Sequence, residues 1–226
     1  MARHSRLDTL NAIRASGMTP IFYTPDADAA REIVRACHAG GARVLEFTNR
    51  GDFALEVFQE LERFCARELP DVALGAGSVM DAPTASAYIG SGASFIVSPA
   101  THQDVARVCN RRKVAYIPGC GTPSEISAAE ELGSEFVKVF PGDSVGGPGF
   151  VRAVLGPMPW TSIIPTGGVD ITRESLAAWF NAGVVGVGIG SRLVSSDVVK
   201  ARDWGTITER TRQALSIISE VRGDDS

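Results

Sequence analysis

Lysine is nearly missing from this chain: only Lys113, Lys138 and Lys200 occur among 22 basic residues. Histidine is equally sparse. His4, His38 and His102 show no zinc-ligand spacing, which argues against a metal-dependent catalyst. Cys37, Cys65, Cys109 and Cys120 are far apart and form no Cys-x-x-Cys pair, so free and mostly buried thiols are expected. No apolar run approaches the length of a membrane helix, and the polar N-terminus carries no signal-peptide pattern, so a cytoplasmic protein without membrane contact is expected. Beyond Arg111-Arg112-Lys113 there is no basic block, and with a net charge of −4 this disfavours a nucleic-acid partner.

What the chain does contain is repetition. Short β-branched or apolar runs recur over Met18–Thr24, Arg43–Thr48, Val72–Val79, Ser94–Pro99, Val114–Gly119, Glu135–Pro141, Ser162–Gly168 and Val184–Gly190. Each is too short for a helix and too apolar for a one-sided antiparallel strand. Amphipathic stretches separate them, beginning with Asp26–Ala39, for which Thr24 is the expected N-cap and Pro25 lies in the first turn. Glycines close several of these stretches just before a strand, at Gly40-Gly41, Gly92, Gly133 and Gly183. Eight βα units predict an α/β fold: a single-domain (β/α)8 TIM barrel over residues 1–226 with a short N-terminal helix at Ser5–Ser16. Residues 1–4 and 222–226 are expected to be disordered tails. A doubly wound open sheet is the alternative architecture, and it accounts less well for eight regular units.

Of the three lysines, Lys113 and Lys200 lie in polar surroundings and read as solvated surface, whereas Lys138 sits inside Phe136-Val137-Lys138-Val139-Phe140-Pro141. A charged side chain in such a run is unusual, because removing an ammonium from water is unfavourable without compensation. Arginine stays protonated; a desolvated lysine can become a nucleophilic amine. Strand alternation puts Phe136, Lys138 and Phe140 on one side, and Val44, Glu46 and Thr48 on one side of another strand. Glu46 and Lys138 then both point into the barrel, as catalytic groups at the strand ends or, in the blander reading, as a structural ion pair. Thr166-Gly167-Gly168 and Gly188-Ile189-Gly190-Ser191 end the last two strands, where barrels often hold a phosphate, although glycine also serves tight turns. Gly75-Ala76-Gly77-Ser78 is a weaker anion signal, with the Ser78 hydroxyl a donor for a carboxylate.

These residues resemble the 2-keto-3-deoxy-6-phosphogluconate (KDPG) and 4-hydroxy-2-oxoglutarate (KHG) aldolases, small class I aldolases on a (β/α)8 barrel, over about Leu7 to Ser216. The anchors are Val44-Leu45-Glu46-Phe47-Thr48-x-Arg50, Gly75-Ala76-Gly77-Ser78-Val79, Ser98-Pro99, Ile117-Pro118-Gly119, the Lys138 strand, Pro165-Thr166-Gly167-Gly168-Val169 and Gly190-Ser191. The resemblance implies that Lys138 forms a Schiff base with a 2-oxo acid and that Glu46 is the general acid/base. It further implies that Arg50, Ser78 and Thr166 hold the carboxylate and nearby oxygens, and that Pro99 and Phe140 contact substrate. Gly167, Gly168, Gly190 and Ser191 would meet the distal phosphate or polar tail, in a homotrimer that needs no cofactor or metal. The substrate implied is the 6-phosphogluconate-derived keto acid, with cleavage of 4-hydroxy-2-oxoglutarate as a second activity. A galactonate-derived phosphorylated substrate, or phosphosugar isomerase chemistry on the same barrel, are the alternatives. Ser78 stands where threonine is usual, Asn49 and Gly51 flank Arg50 atypically, and Arg192 replaces an apolar residue as either a second cation for phosphate or a surface arginine.

Overall fold

In the computed structural model, which describes residues 2–223, a helix α1 (Arg6–Ser16) leads into nine parallel strands and nine further helices. The first half runs β1 (Met18–Phe22), α2 (Ala27–Ala39), β2 (Val44–Thr48), α3 (Ala54–Glu68), β3 (Ala73–Gly77), α4 (Ala82–Gly90), β4 (Phe95–Val97) and α5 (Gln103–Arg112). The second continues with β5 (Ala115–Ile117), β6 (Gly119–Cys120), α6 (Pro123–Glu131), β7 (Val137–Val139), α7 (Gly147–Leu155) and β8 (Ile163–Pro165). It ends with α8 (Arg173–Phe180), β9 (Val187–Ile189), α9 (Ser196–Lys200) and α10 (Trp204–Arg222).

The strands form two parallel ladders, β5-β4-β3-β2-β1-β9 and β6-β7-β8, where one eight-stranded ladder was expected. The expected fifth strand divides at Pro118, which has no N–H to give to a ladder. Its first half bonds to β4 and its second to β7, and the Lys138 N–H reaches the Pro118 carbonyl at 2.8 Å. At the other junction, a Thr166–Gly188 bridge and a 3.0 Å bond from the Val185 N–H to the Ile163 carbonyl join β8 to the β9 edge. Apart from the pairing of first and last strands, β1 with β9, neighbours within each sheet follow chain order, which is not the order of a doubly wound sheet.

Apolar residues segregate into two layers by strand alternation. Leu45, Phe47, Leu74, Ala76, Ile96, Val137, Val139 and Ile163 pack under the helices in the larger cluster. Val44, Ala73, Phe95, Val97, Ala115, Ile117, Phe136 and Ile164, drawn from strands of both sheets and the residue before β7, form a second cluster on the opposite faces. Leu10 and Ile13 of α1 belong to this inner cluster and close it at one end.

Several local expectations are corrected. The α2 cap is Asp26, whose carboxylate accepts from the N–H groups of Asp28 and Ala29; Thr24 instead accepts from the Asp26 N–H. Helix α9 was not anticipated, being too short to show a period. Glycine does end the four helix-to-strand junctions as expected: Gly41, Gly92, Gly133 and Gly183 all have positive φ. The segment assigned to an N-terminal tail is instead docked. Arg3 pairs with the buried Glu62 at 2.7 Å and donates to the carbonyls of Pro70 and Val72. At the other end α10 extends through Arg222, while Met1 and residues 224–226 of the expected tails lie outside the described residues.

Candidate active site

Period two carries Glu46 and Lys138 to the inner side of their strands. Each is one alternation beyond an inner-cluster residue, Val44 and Phe136 respectively. Both are buried, at 4% and 7% exposure, whereas Lys113 and Lys200 are exposed as expected. Burial pushes the Glu46 carboxyl above the ordinary range, and the nearby positive charges of Lys138 and Arg50 oppose that shift without cancelling it. Glu46 Oε1 has no hydrogen-bond partner among the described residues. A carboxyl group left so in a folded interior is destabilising, and such groups cluster at functional sites. The Lys138 Nζ lies 4.9 Å from the centre of the Phe140 ring.

Strand β3 makes the room. Gly75 and Gly77 share the inner face with Ala73, opposite Glu46 and Thr48 in the register. A methyl group on Gly77 would collide with the Glu46 carboxylate, and one on Gly75 with the Phe95 ring. The Gly-Ala-Gly run, read from sequence as a weak anion signal, is thus a pair of vacated positions that admit two large neighbours.

A cleft of about 850 Å³ opens at the carboxyl ends of β1, β2, β8 and β9. Of the expected residues, Arg50, Phe140, Thr166, Gly167, Gly168, Gly190 and Ser191 line it. Gly167 and Gly168 hold φ of 91° and 72°, a region side chains disfavour, and a methyl group on Gly168 would collide with the Asp143 side chain. Glu46 and Lys138 are not in its wall; they connect to it through Arg50, which perturbs Glu46, and through Phe140, which touches Lys138. Ser78 adjoins it by accepting a 3.4 Å bond from Arg50 Nε. Pro99 is not brought to the cleft; its carbonyl packs against Gly119, leaving no space there for a side chain.

Sequence reading missed other groups in the wall: Tyr23, Thr24, Asp143, Asp170, Ser196 and Lys200. Their positions depend on loops and on the short helix α9, none of which carries a periodic signal. Asn49 proves to be anchored, its N–H on the Gly77 carbonyl at 2.8 Å and its Oδ1 accepting from the Tyr88 hydroxyl at 2.9 Å. Arg50 therefore leaves a fixed backbone.

The chain is similar to known proteins along most of its length. A family model described as KDPG and KHG aldolase matches residues 10–210. A 2-dehydro-3-deoxy-phosphogluconate aldolase of Pseudoalteromonas atlantica is 32% identical over 216 residues, covering 96% of this chain and 98% of that protein. The KHG/KDPG aldolase of Escherichia coli K12 is 30% identical over 88% of this chain and 90% of its own. Among solved structures, the KDPG aldolase of Legionella pneumophila, captured with pyruvate as a covalent carbinolamine intermediate, superposes with a TM-score of 0.83. It is 27% identical and covers 91% of this chain and 97% of its own.

Proposed function

Because the chain belongs to the KDPG and KHG aldolase family, we propose that it cleaves a 2-keto-3-deoxy sugar acid by class I, Schiff-base chemistry at Lys138. It is a carbon–carbon lyase. The substrate we assign is 2-dehydro-3-deoxy-6-phosphogluconate, giving pyruvate and glyceraldehyde 3-phosphate, with 4-hydroxy-2-oxoglutarate as a second substrate. The observation that carries this reading is a buried lysine electrostatically coupled to a buried, unpartnered carboxylate on the inner side of the strands.

The Lys138 nitrogen adds its lone pair to the C2 carbonyl, and loss of water gives an iminium. Glu46 takes the C4 hydroxyl proton as the C3–C4 bond breaks. The bonding pair moves into the iminium to form an enamine, and the aldehyde departs. Glu46 returns the proton to C3, and hydrolysis frees pyruvate and the amine. General acid/base help of this kind is worth roughly 10²–10⁴ in rate. Arg50 and Ser78 serve the 2-oxo acid end with Thr166, while Gly167, Gly168 and Gly190, together with Ser191, receive the distal group. Pro99 is left without a contact role.

We infer further that the two sheets act as one (β/α)8 barrel. Supporting this, the ladders part at a proline, a bridge spans the other junction, and strands of both sheets share one inner cluster. The assembly inferred is a cytoplasmic homotrimer in a pathway of sugar-acid breakdown. Among the described residues no helix is long and apolar enough to cross a membrane, and Phe53 and Met80, 74% and 56% exposed, are apolar surface available to a second copy.

Borohydride reduction in the presence of pyruvate tests the assignment. A stable pyruvyl adduct should appear on the Lys138 peptide by mass spectrometry and be absent from Lys138→Arg, which should also lose turnover while keeping its fold. Substantial activity in Lys138→Arg would refute the role.

A further inference from the structure

Three basic side chains, Arg50, Arg192 and Lys200, line the cleft, and the reaction above uses only the first. Arg192 stands in a turn held by the N–H groups of Leu193 and Val194, both donating to the Gly190 carbonyl at 2.9 and 3.0 Å. Its backbone is therefore fixed beside Gly190 and Ser191 while its side chain stays 67% exposed. The ion pair it makes is loose: Nε lies 3.4 Å from Asp170 Oδ2, against about 2.7–2.9 Å for a well-formed charge-assisted bond. An exposed pair of that length is readily exchanged.

Asp170 is the anchored partner, because its Oδ1 accepts from the Ile171 N–H at 2.8 Å. Lys200, the last residue of α9, is exposed and makes no ion pair among the described residues. The second carboxylate of this wall, Asp143, is held by its own loop: its Oδ1 accepts from the Ser144 N–H at 2.8 Å, and its side chain packs against Gly168. The anions are thus held by backbone donors, while the two cations share the cleft wall with the glycines of the loop after β8.

We propose that Arg192 and Lys200 are specificity-determining residues that recognise a dianionic phosphate on the substrate's distal end, with Arg192 exchanging Asp170 for it. This rests on the aldolase reading and deepens it: part of the preference for a phosphorylated sugar acid is assigned to side-chain cations beyond the glycine backbone. A guanidinium suits the task because it offers a fixed fork of donors to a tetrahedral oxyanion. Asp170 opposes the incoming charge, so the two members of one ion pair act on binding with opposite sign.

Steady-state kinetics of the full chain with 2-dehydro-3-deoxy-6-phosphogluconate and with its unphosphorylated counterpart would test this. Arg192→Gln should raise KM for the phosphorylated substrate by roughly 10- to 100-fold, and Lys200→Gln by about 3- to 10-fold, with most of the effect in KM and little in kcat. The ratio of kcat/KM between the two substrates should fall accordingly. Asp170→Asn, which keeps the Oδ1 acceptor, should lower KM for the phosphorylated substrate by about 2- to 5-fold. Were Arg192→Gln and Asp170→Asn to raise KM for both substrates alike, the pair would be structural and the proposal overturned. An unchanged phosphate preference in both cation variants would overturn it too. Absence of cleavage of either substrate by the unaltered chain, with no borohydride adduct, would instead sink the aldolase reading.

Discussion

Glu46 has lost nearly all contact with water, yet among the described residues its Oε1 gains no hydrogen bond in exchange. Its carboxyl is held above the ordinary range chiefly by that desolvation, against the opposing pull of Lys138 and Arg50. The acid limb of the kcat/KM profile should therefore lie above the range of a solvated glutamate, near 4.3. Glu46→Gln should remove that limb and lower kcat by roughly 10²–10⁴, as a pH–rate series would show. The stability sign follows from linkage. A carboxyl whose folded-state value is raised favours the fold below its unfolded value, and that benefit is lost as pH rises through the raised one. At neutral pH the glutamine variant should accordingly unfold at a higher urea concentration than the unaltered chain. A lower midpoint would mean that the carboxylate stabilises the fold as a structural ion pair. The inward direction of Glu46 and Lys138 was legible in the sequence, because alternation along a strand depends on nothing but the strand. The loose Arg192–Asp170 pair was not, since it joins two loops whose approach no period announces.

At the scale of elements, β3 shows why a motif can be visible and its purpose hidden. Gly75 and Gly77 stand out in the sequence, but the ring and carboxylate that require them belong to β4 and β2. Gly77→Ala should displace the Glu46 side chain and reduce kcat by at least about 10-fold, with KM less affected. Activity equal to that of the unaltered chain would show that the carboxylate has room to spare. Gly75→Ala is the matched control: by crowding Phe95 it should cost about 1–3 kcal/mol of stability, as core overpacking commonly does. The division of the fifth strand at Pro118 follows from the missing N–H, yet the apolar run alone reads as one strand because β5 and β6 are separated by a single residue.

For the whole molecule, the end opposite the cleft is closed by the N-terminal segment. Leu10 and Ile13 enter the inner cluster, and Arg3 secures the segment to Glu62 on α3. Burial holds the Glu62 carboxyl above its usual range even with Arg3 beside it. Arg3→Ala would leave that charge buried and unpaired, costing about 3 kcal/mol at neutral pH. The loss should shrink as pH falls and Glu62 takes up its proton, since a raised value places the penalty on the alkaline side. Urea denaturation at two pH values checks this, and a pH-independent loss would show that packing, rather than charge, is what Arg3 provides.

The succession of strands and longer helices and the side on which each strand residue faces were written locally in the chain. They rest on backbone geometry that repeats every two or every 3.6 residues. The shape of the cleft, the docking of Arg3, the room left by Gly77 and the partners of Arg192 were settled by folding alone. Each depends on segments far apart in sequence, whose approach is fixed by packing and loop conformation and leaves no periodic trace.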